Sequence, residues 1–213
     1  MTKYFYEETG MYIDWKQLDK LPNIDTLIDI GVGPTGTPDL YQQFNTQKLI
    51  LIDPLSESEI FVKENLNHRN FSFYKTALGA EKSELIINVE EELGRSTLLN
   101  VSDINYEGAP IEKRSIKVDK LDTVLSLEKN LGKIGIKIDT EGYELNVILG
   151  ASICLQSTKF VLAEVRHNHE SFDGVYKMHE FISAMTDNGF VLTMILTAKP
   201  FIADLCFQPK LDL

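Results

Sequence analysis

Short apolar runs punctuate the chain at regular intervals: TLIDI (26–30), KLILID (48–53), FSFYKTA (71–77), IGIKID (134–139), KFVLAEV (159–165), FVLTMIL (190–196) and ADLCFQP (203–209). Most are continuous rather than alternating, the pattern of parallel strands covered on both faces. Between them, ELNVILGASICL (144–155) and YKMHEFISAMTDNGF (176–190) carry apolar residues at helical spacing. The second closes on an Asn-Gly stop signal. A helix is also expected from Pro38, and a short one over DWKQLDKL (14–21). Strand–helix alternation predicts a doubly wound, mostly parallel α/β sheet built from these seven runs. Only a short connection containing TAKP (197–200) separates the last two runs, which predicts an antiparallel hairpin at the sheet edge.

One region breaks the rhythm. Residues 79–126 hold the strand-like pieces ELIINVE, STLLN and RSIKVDKLD, with turns at Gly94 and Gly108. They read as a β-rich insertion between the third and fourth core strands, inside a single domain spanning 25–213. Residues 1–24 form an N-terminal arm. Its Tyr4, Phe5, Tyr6, Tyr12 and Trp15 suit either a lid over a ligand or ordinary aromatic packing.

Composition narrows the partners. The net charge of −11 repels phosphate backbones and anionic membrane surfaces, so neither nucleic acid nor a membrane is the expected partner. Cys154 and Cys206, the two cysteines, match no metal or redox spacing and sit in apolar stretches, as core thiols do. The opening MTKYFYEETG lacks a basic start followed by an apolar run, and no apolar run reaches the length of a membrane span. A cytoplasmic protein is the expectation.

The candidate chemistry begins in LIDIGVGPTGTPDLY (27–41). Asp29 lies near a strand end, Gly31, Gly33 and Gly36 follow, and a helix is expected next. Glycines at such a turn let a ligand approach the backbone, and the helix N-terminus behind offers N–H groups. Asp53 ends the second strand some twenty residues further on, where a carboxylate accepts hydrogen bonds from an adenosine ribose. Nicotinamide dinucleotides and S-adenosylmethionine both carry that adenosine, so these residues leave the two open.

The stretch GIKIDTEGYELNVILGA (135–151) delivers Asp139, Glu141 and Glu144 at the carboxyl end of a buried strand, the crevice side of such sheets. It resembles the Lys-Ile-Asp-x-Glu-Gly-x-Glu signature of FkbM-type methyltransferases, a family that uses S-adenosylmethionine and mostly methylates oxygen. The resemblance covers roughly 25–209 and includes the DIG turn, LIDP, KTALG (75–79), KVDKLDTVL (117–125), AEV (163–165) and the closing NGF. It implies a Rossmann-like methyltransferase fold. It also implies that Asp29, Gly31 and Gly33 line the methionine end of the cofactor, that Asp53 binds the ribose, and that Thr76, Ala77 and Leu78 border the adenine. Asp139 would sit near the cofactor amino group or the transferring methyl, and Glu141 near the acceptor pocket. The chain departs from the family's Asp-x-Gly-Ala-Asn-x-Gly turn: it has glycine at 33 and one extra residue before Gly36.

Methyl transfer from a sulfonium needs alignment and removal of a proton from the acceptor. Glu141, Glu164, His167 and His169 are the candidate bases. Arg166 suits a substrate carboxylate or phosphate, and Ser96 and Thr97 stand at a turn near the expected acceptor pocket. His167-x-His169 beside Asp139 and Glu141 lacks a further ligand at metal spacing, so no metal is expected. The leading expectation is therefore an S-adenosylmethionine-dependent O-methyltransferase acting on a small molecule or sugar hydroxyl. A NAD-type oxidoreductase and a non-catalytic binding protein of the same fold are the alternatives.

Overall fold

The continuous apolar runs become the centre of one sheet. The computed structural model describes residues 15–44, 46–67, 69–101, 112–166, 172–198 and 201–210. The strands are β1 (Thr26–Ile30), β2 (Lys48–Ile52), β3 (Phe71–Tyr74), β4 (Ala77–Leu78), β5 (Ser83–Val89), β6 (Asn100–Val101), β7 (Glu112–Asp119), β8 (Ile134–Ile138), β9 (Thr158–Arg166), β10 (Phe172–Asp173), β11 (Phe190–Ala198) and β12 (Ile202–Pro209). The helices are α1 (Pro38–Gln43), α2 (Ser56–Asn65), α3 (Leu121–Leu125), α4 (Glu144–Leu149) and α5 (Met178–Asp187).

The main sheet has seven strands in the order β11-β12-β9-β8-β1-β2-β3. Strands β3, β2, β1, β8 and β9 run parallel, and β12 runs antiparallel to both β9 and β11. The chain moves from β1 outward to β2 and β3, then returns to lay β8 on the other side of β1. That reversal is a topological switch point, where sheets of this kind open a crevice at their carboxyl ends.

Both faces of the sheet are buried, which is why the strands read as unbroken apolar runs. Ile28, Ile30, Ile136, Ile138 and Val161 pack on one face with Val147 of α4 and Phe181 of α5. Leu27, Leu49, Leu51 and Phe160 pack on the other with Leu18, Leu40 of α1 and Val62 of α2. Leu18 belongs to a 3-10 turn, Trp15–Lys20, so the short helix expected at 14–21 does lie over the sheet where it is described. Residues 1–14, with Tyr4, Phe5, Tyr6 and Tyr12, lie outside the described residues. Both cysteines are buried. No helix among the described residues is long and apolar enough to cross a membrane.

The final hairpin forms at the sheet edge as expected, with β12 on the inside between β9 and β11 and β11 outermost. The apolar centre of β12 needs two neighbours: Leu205, Cys206 and Phe207 are buried, whereas Leu192 and Ile195 of β11 are exposed. The helix expected over 144–155 stops at Leu149. Asp122 draws the chain aside by accepting the backbone N–H of Ile153 (2.9 Å) and Cys154 (2.8 Å). A Cβ at Gly150 would meet the Gly79 carbonyl oxygen at 2.2 Å, which fixes glycine at that bend. Finally, RSIKVDKLD is strand only to Asp119 and then turns into α3.

Between β3 and β8 the chain builds a second, three-stranded sheet, β4-β7-β5. The piece STLLN does not join it as a full strand. Thr97 makes an isolated bridge to Asn88, and Asn100–Val101 pairs with β10. Leu55, Ile87 and Val89 form the small core that seats this sheet beside the start of α2.

Candidate active site

A cleft of about 1340 Å³ opens over the carboxyl ends of β1, β2, β8 and β9. Its floor and walls include Gly31, Gly33, Asp53, Lys137, Asp139, Glu141, Glu164 and Arg166, so one space gathers side chains from four strand ends. The loop Glu92–Ser96 forms a further wall. The Cβ position of Gly33 lies 3.8 Å from the Cα of Gly94, so the glycine turn and this wall meet backbone to backbone.

Asp53 organises the glycine turn. One of its carboxylate oxygens accepts the N–H of Gly33 (2.9 Å) and the other that of Leu55 (2.8 Å). Burial pushes its pKa up, against the pull of those two donors. A carboxylate has about four lone-pair positions, so the two backbone bonds leave capacity for hydroxyl donors reaching in from the cleft. Gly31 and Gly33 both take left-handed backbone, with φ of +81° and +62°. Thr76, Ala77 and Leu78 also line the cleft, held by the pairing of β4 with β7 and by the Thr76 hydroxyl donating to the Lys117 carbonyl (3.0 Å).

Asp29 stands differently from the expectation. It is fully buried and lies beneath the cleft rather than on its wall. Its carboxylate accepts hydrogen bonds from the Tyr41 and Thr37 hydroxyls, which anchors the start of α1. Its other oxygen lies 3.3 Å from the Lys137 ammonium, which in turn lies 3.4 Å from Asp139. Burial by itself would lower the Lys137 pKa, but the two carboxylates outweigh it and hold the group above the ordinary lysine range. Lys137 is the residue the sequence reading missed. Its signal was present: residues 137 and 139 share a face of the strand, and both belong to the KID element.

The turn after β8 is strained and tightly braced. Glu141 adopts φ +52° and Gly142 φ +98°. The Thr97 hydroxyl donates to the Glu141 carbonyl (2.7 Å) and Thr97 is buried outside the cleft lining, so it braces the acidic turn and does not face an acceptor. Ser96, in contrast, lines the cleft and accepts the Glu90 N–H (3.2 Å). Buried Glu144 accepts from the Thr140 N–H (2.9 Å), the Thr140 hydroxyl (3.0 Å) and the Gly142 N–H (3.0 Å). Its second oxygen accepts from the Tyr176 hydroxyl (2.8 Å).

Burial raises the Glu144 pKa despite these donors. The folded state therefore holds this proton more tightly than the unfolded chain, so stability declines as pH rises from the ordinary glutamate value through the raised one. Asp53 contributes with the same sign. Thermal melts from pH 4.5 upward are expected to record that decline, and Glu144→Gln to flatten it. An unchanged pH slope in Glu144→Gln would assign the decline to other groups.

At the far end of the cleft, Arg166 pairs with Glu141, and its guanidinium lies 4.6 Å over the Phe172 ring. Asp139, Glu141 and Glu164 each offer a carboxylate oxygen within 4.8 Å of one another, a spacing that suits a cation. Lys137 counters Asp139 and Arg166 counters Glu141. His167 and His169 lie outside the described residues.

A glycine turn at the switch point, with acidic residues from neighbouring strand ends around one cleft, is the arrangement in which doubly wound sheets bind nucleotide-type cofactors. A sequence profile described as the Methyltransferase FkbM domain matches residues 30–192, and the chain belongs to that family. This sets aside the nicotinamide oxidoreductase reading. No curated protein matches the chain by sequence. Among solved structures, a methyltransferase FkbM from Methylobacillus flagellatus KT superposes with a TM-score of 0.51 at 14% identity, covering 86% of this chain and 43% of that one. The chain thus spans less than half the length of that relative. A Listeria monocytogenes protein assigned to the S-adenosylmethionine-dependent methyltransferases gives 0.51 at 11% identity, covering 92% of this chain and 97% of that one. A magnesium protoporphyrin IX methyltransferase from Synechocystis PCC 6803 gives 0.48 at 11% identity, covering 92% of this chain and 76% of that one. The first two establish a shared fold.

Proposed function

We propose that this chain transfers the methyl group of S-adenosylmethionine to a hydroxyl oxygen of a small-molecule or sugar acceptor. The observation that carries the reading is the single cleft bordered by Asp53 on one side of the glycine turn and Asp139 on the other. Asp53 would take the ribose hydroxyls on its remaining lone pairs. Thr76, Ala77 and Leu78 would border the adenine, and Gly31, Gly33 and Asp139 the amino-acid end. When bound, the cofactor supplies a sulfonium-activated methyl group. The residues of the chain align the acceptor oxygen with that methyl and take up its proton.

Among the described residues, Glu141 and Glu164 would take up that proton. Glu141 is steadied by Arg166, and the Thr97 hydroxyl fixes its carbonyl. Ser96 and Arg166, which line the cleft, would border the acceptor. The acidic balance of the chain favours a neutral or cationic acceptor over nucleic acid or a membrane surface.

The test is incubation of the chain and a metabolite extract with methyl-deuterated S-adenosylmethionine, followed by mass spectrometry and NMR of the labelled product. A label on oxygen is the expected result; a label on nitrogen or carbon contradicts O-transfer, and none at all favours a binding protein of the same fold. With the acceptor in hand, Glu141→Gln and Glu164→Gln should together lower kcat by about 10²- to 10⁴-fold with little change in the cofactor KM. If kcat in the double variant stays within a factor of two, neither carboxylate is the base.

A further inference from the structure

Lys137 sits where the two halves of the cleft floor meet. In the register of β1 against β8, Asp29 faces Lys137 directly. The strand pleat then puts Asp139 on the same face as Lys137. The ammonium consequently bridges a carboxylate beneath the floor (3.3 Å) and one on the wall (3.4 Å). The lower carboxylate is bound to Thr37 and Tyr41, so the same ammonium is coupled to the start of α1 behind the glycine turn. The backbones are equally close: the Asp139 N–H donates to the Ile30 carbonyl (3.0 Å) and a Cβ on Gly31 would overlap the Asp139 carbonyl.

We infer that Lys137 is a positioning residue for the amino-acid end of the cofactor, acting by holding the Asp139 carboxylate at the mouth of the glycine turn. This rests on the methyl-donor reading above. An ammonium has three N–H donors in rotating geometry. Its ion pairs with Asp29 and Asp139 set the orientation of Asp139, while the side chain itself reaches the cleft lining. Removing it leaves two acidic groups facing each other across β1 and β8 with no cation between them. Asp139 is then repelled from its position, and a zwitterionic aminocarboxypropyl group loses its partner. The adenosine end, held from the Asp53 side, does not depend on this bridge.

That separation makes the inference testable with two ligands. S-adenosylhomocysteine carries the amino-acid end, and 5′-methylthioadenosine carries the same thioether-linked adenosine without it. Calorimetric titration of wild type, Lys137→Met and Lys137→Arg with each ligand reads the difference, with thermal melts recording whether each variant is folded. In Lys137→Met, S-adenosylhomocysteine is expected to weaken about 10- to 100-fold, the scale of a hydrogen bond to a charged group. Methylthioadenosine should stay within about threefold, which a general collapse of the cleft would not allow. Lys137→Arg keeps the charge and should recover most of the lost affinity. Should Lys137→Met not fold, Lys137→Arg carries the comparison: a selective, smaller loss for S-adenosylhomocysteine supports the inference. In Lys137→Met, or in Lys137→Arg where Lys137→Met does not fold, parallel weakening of both ligands or an unchanged ratio of the two affinities overturns it. A wild-type chain that binds neither ligand takes down the methyl-donor reading as well, a result distinct from either.

Discussion

Gly31→Ala is expected to lower the stability of the fold by at least about 3 kcal/mol, since it combines backbone strain with a core clash. The added Cβ would stand 1.7 Å from the Asp139 carbonyl oxygen, and Gly31 holds φ +81°. Neither backbone is able to step aside cheaply. The Gly31 N–H donates to the Ile52 carbonyl (2.9 Å) and the Asp139 N–H to Ile30 (3.0 Å), so β1 is held by β2 on one side and β8 on the other. For a chain of this size the loss corresponds to a fall in Tm of roughly 6–12 °C. Gly174→Ala is the matched control. Gly174 has φ +76° but nothing within 4 Å of its Cβ position, so only the backbone cost of about 1 kcal/mol applies. Thermal melts that give the two variants the same Tm would show that the Gly31–Asp139 contact does not constrain the sheet.

Asp53→Ala is expected to weaken binding of S-adenosylhomocysteine by about 100-fold or more, because it removes the ribose acceptor and loosens the glycine turn together. The Gly33 and Leu55 N–H groups both point at this carboxylate, and Asp53 is only 5% exposed. Leaving the buried Leu55 N–H unsatisfied costs about 1–3 kcal/mol before any ligand is considered, and the half-buried Gly33 N–H loses its partner as well. Asp53→Asn should recover little of this. Its amide keeps one acceptor oxygen but turns an N–H₂ donor toward a backbone donor. Calorimetry on both variants, beside their melting curves, checks the expectation. An affinity for Asp53→Ala within threefold of wild type would remove Asp53 from the site.

The central strands β1, β2, β8 and β9 were legible because they are buried on both faces and so read as unbroken apolar runs. The order of β11 and β12 was not, since the place of β12 depends on which hairpin strand finds two neighbours. The end of α4 was hidden for a similar reason: Asp122, some thirty residues earlier, captures the N–H groups that would have continued the helix.

Around the cleft, Gly31, Gly33, Asp53, Asp139 and Glu141 were readable from their positions just beyond strand ends, where residues face the crevice, and Glu164 from its place in the last part of β9. Asp29 lies one turn of the pleat too deep for that rule, and it supports the floor through Tyr41, Thr37 and Lys137. Thr97 looked like a polar turn residue open to an acceptor. Its hydroxyl is instead committed to the carbonyl of Glu141, a contact across 44 positions of sequence that no local pattern encodes. The pairing of Arg166 with Glu141 joins the ends of β8 and β9 in the same way.

The most direct test of the whole account is a calorimetric titration of the intact chain with S-adenosylhomocysteine, run beside NAD under the same conditions. The account predicts saturable binding of one S-adenosylhomocysteine per chain and a raised Tm in its presence, with no comparable response to NAD. No heat and no shift with S-adenosylhomocysteine, or an equal response to NAD, would contradict it.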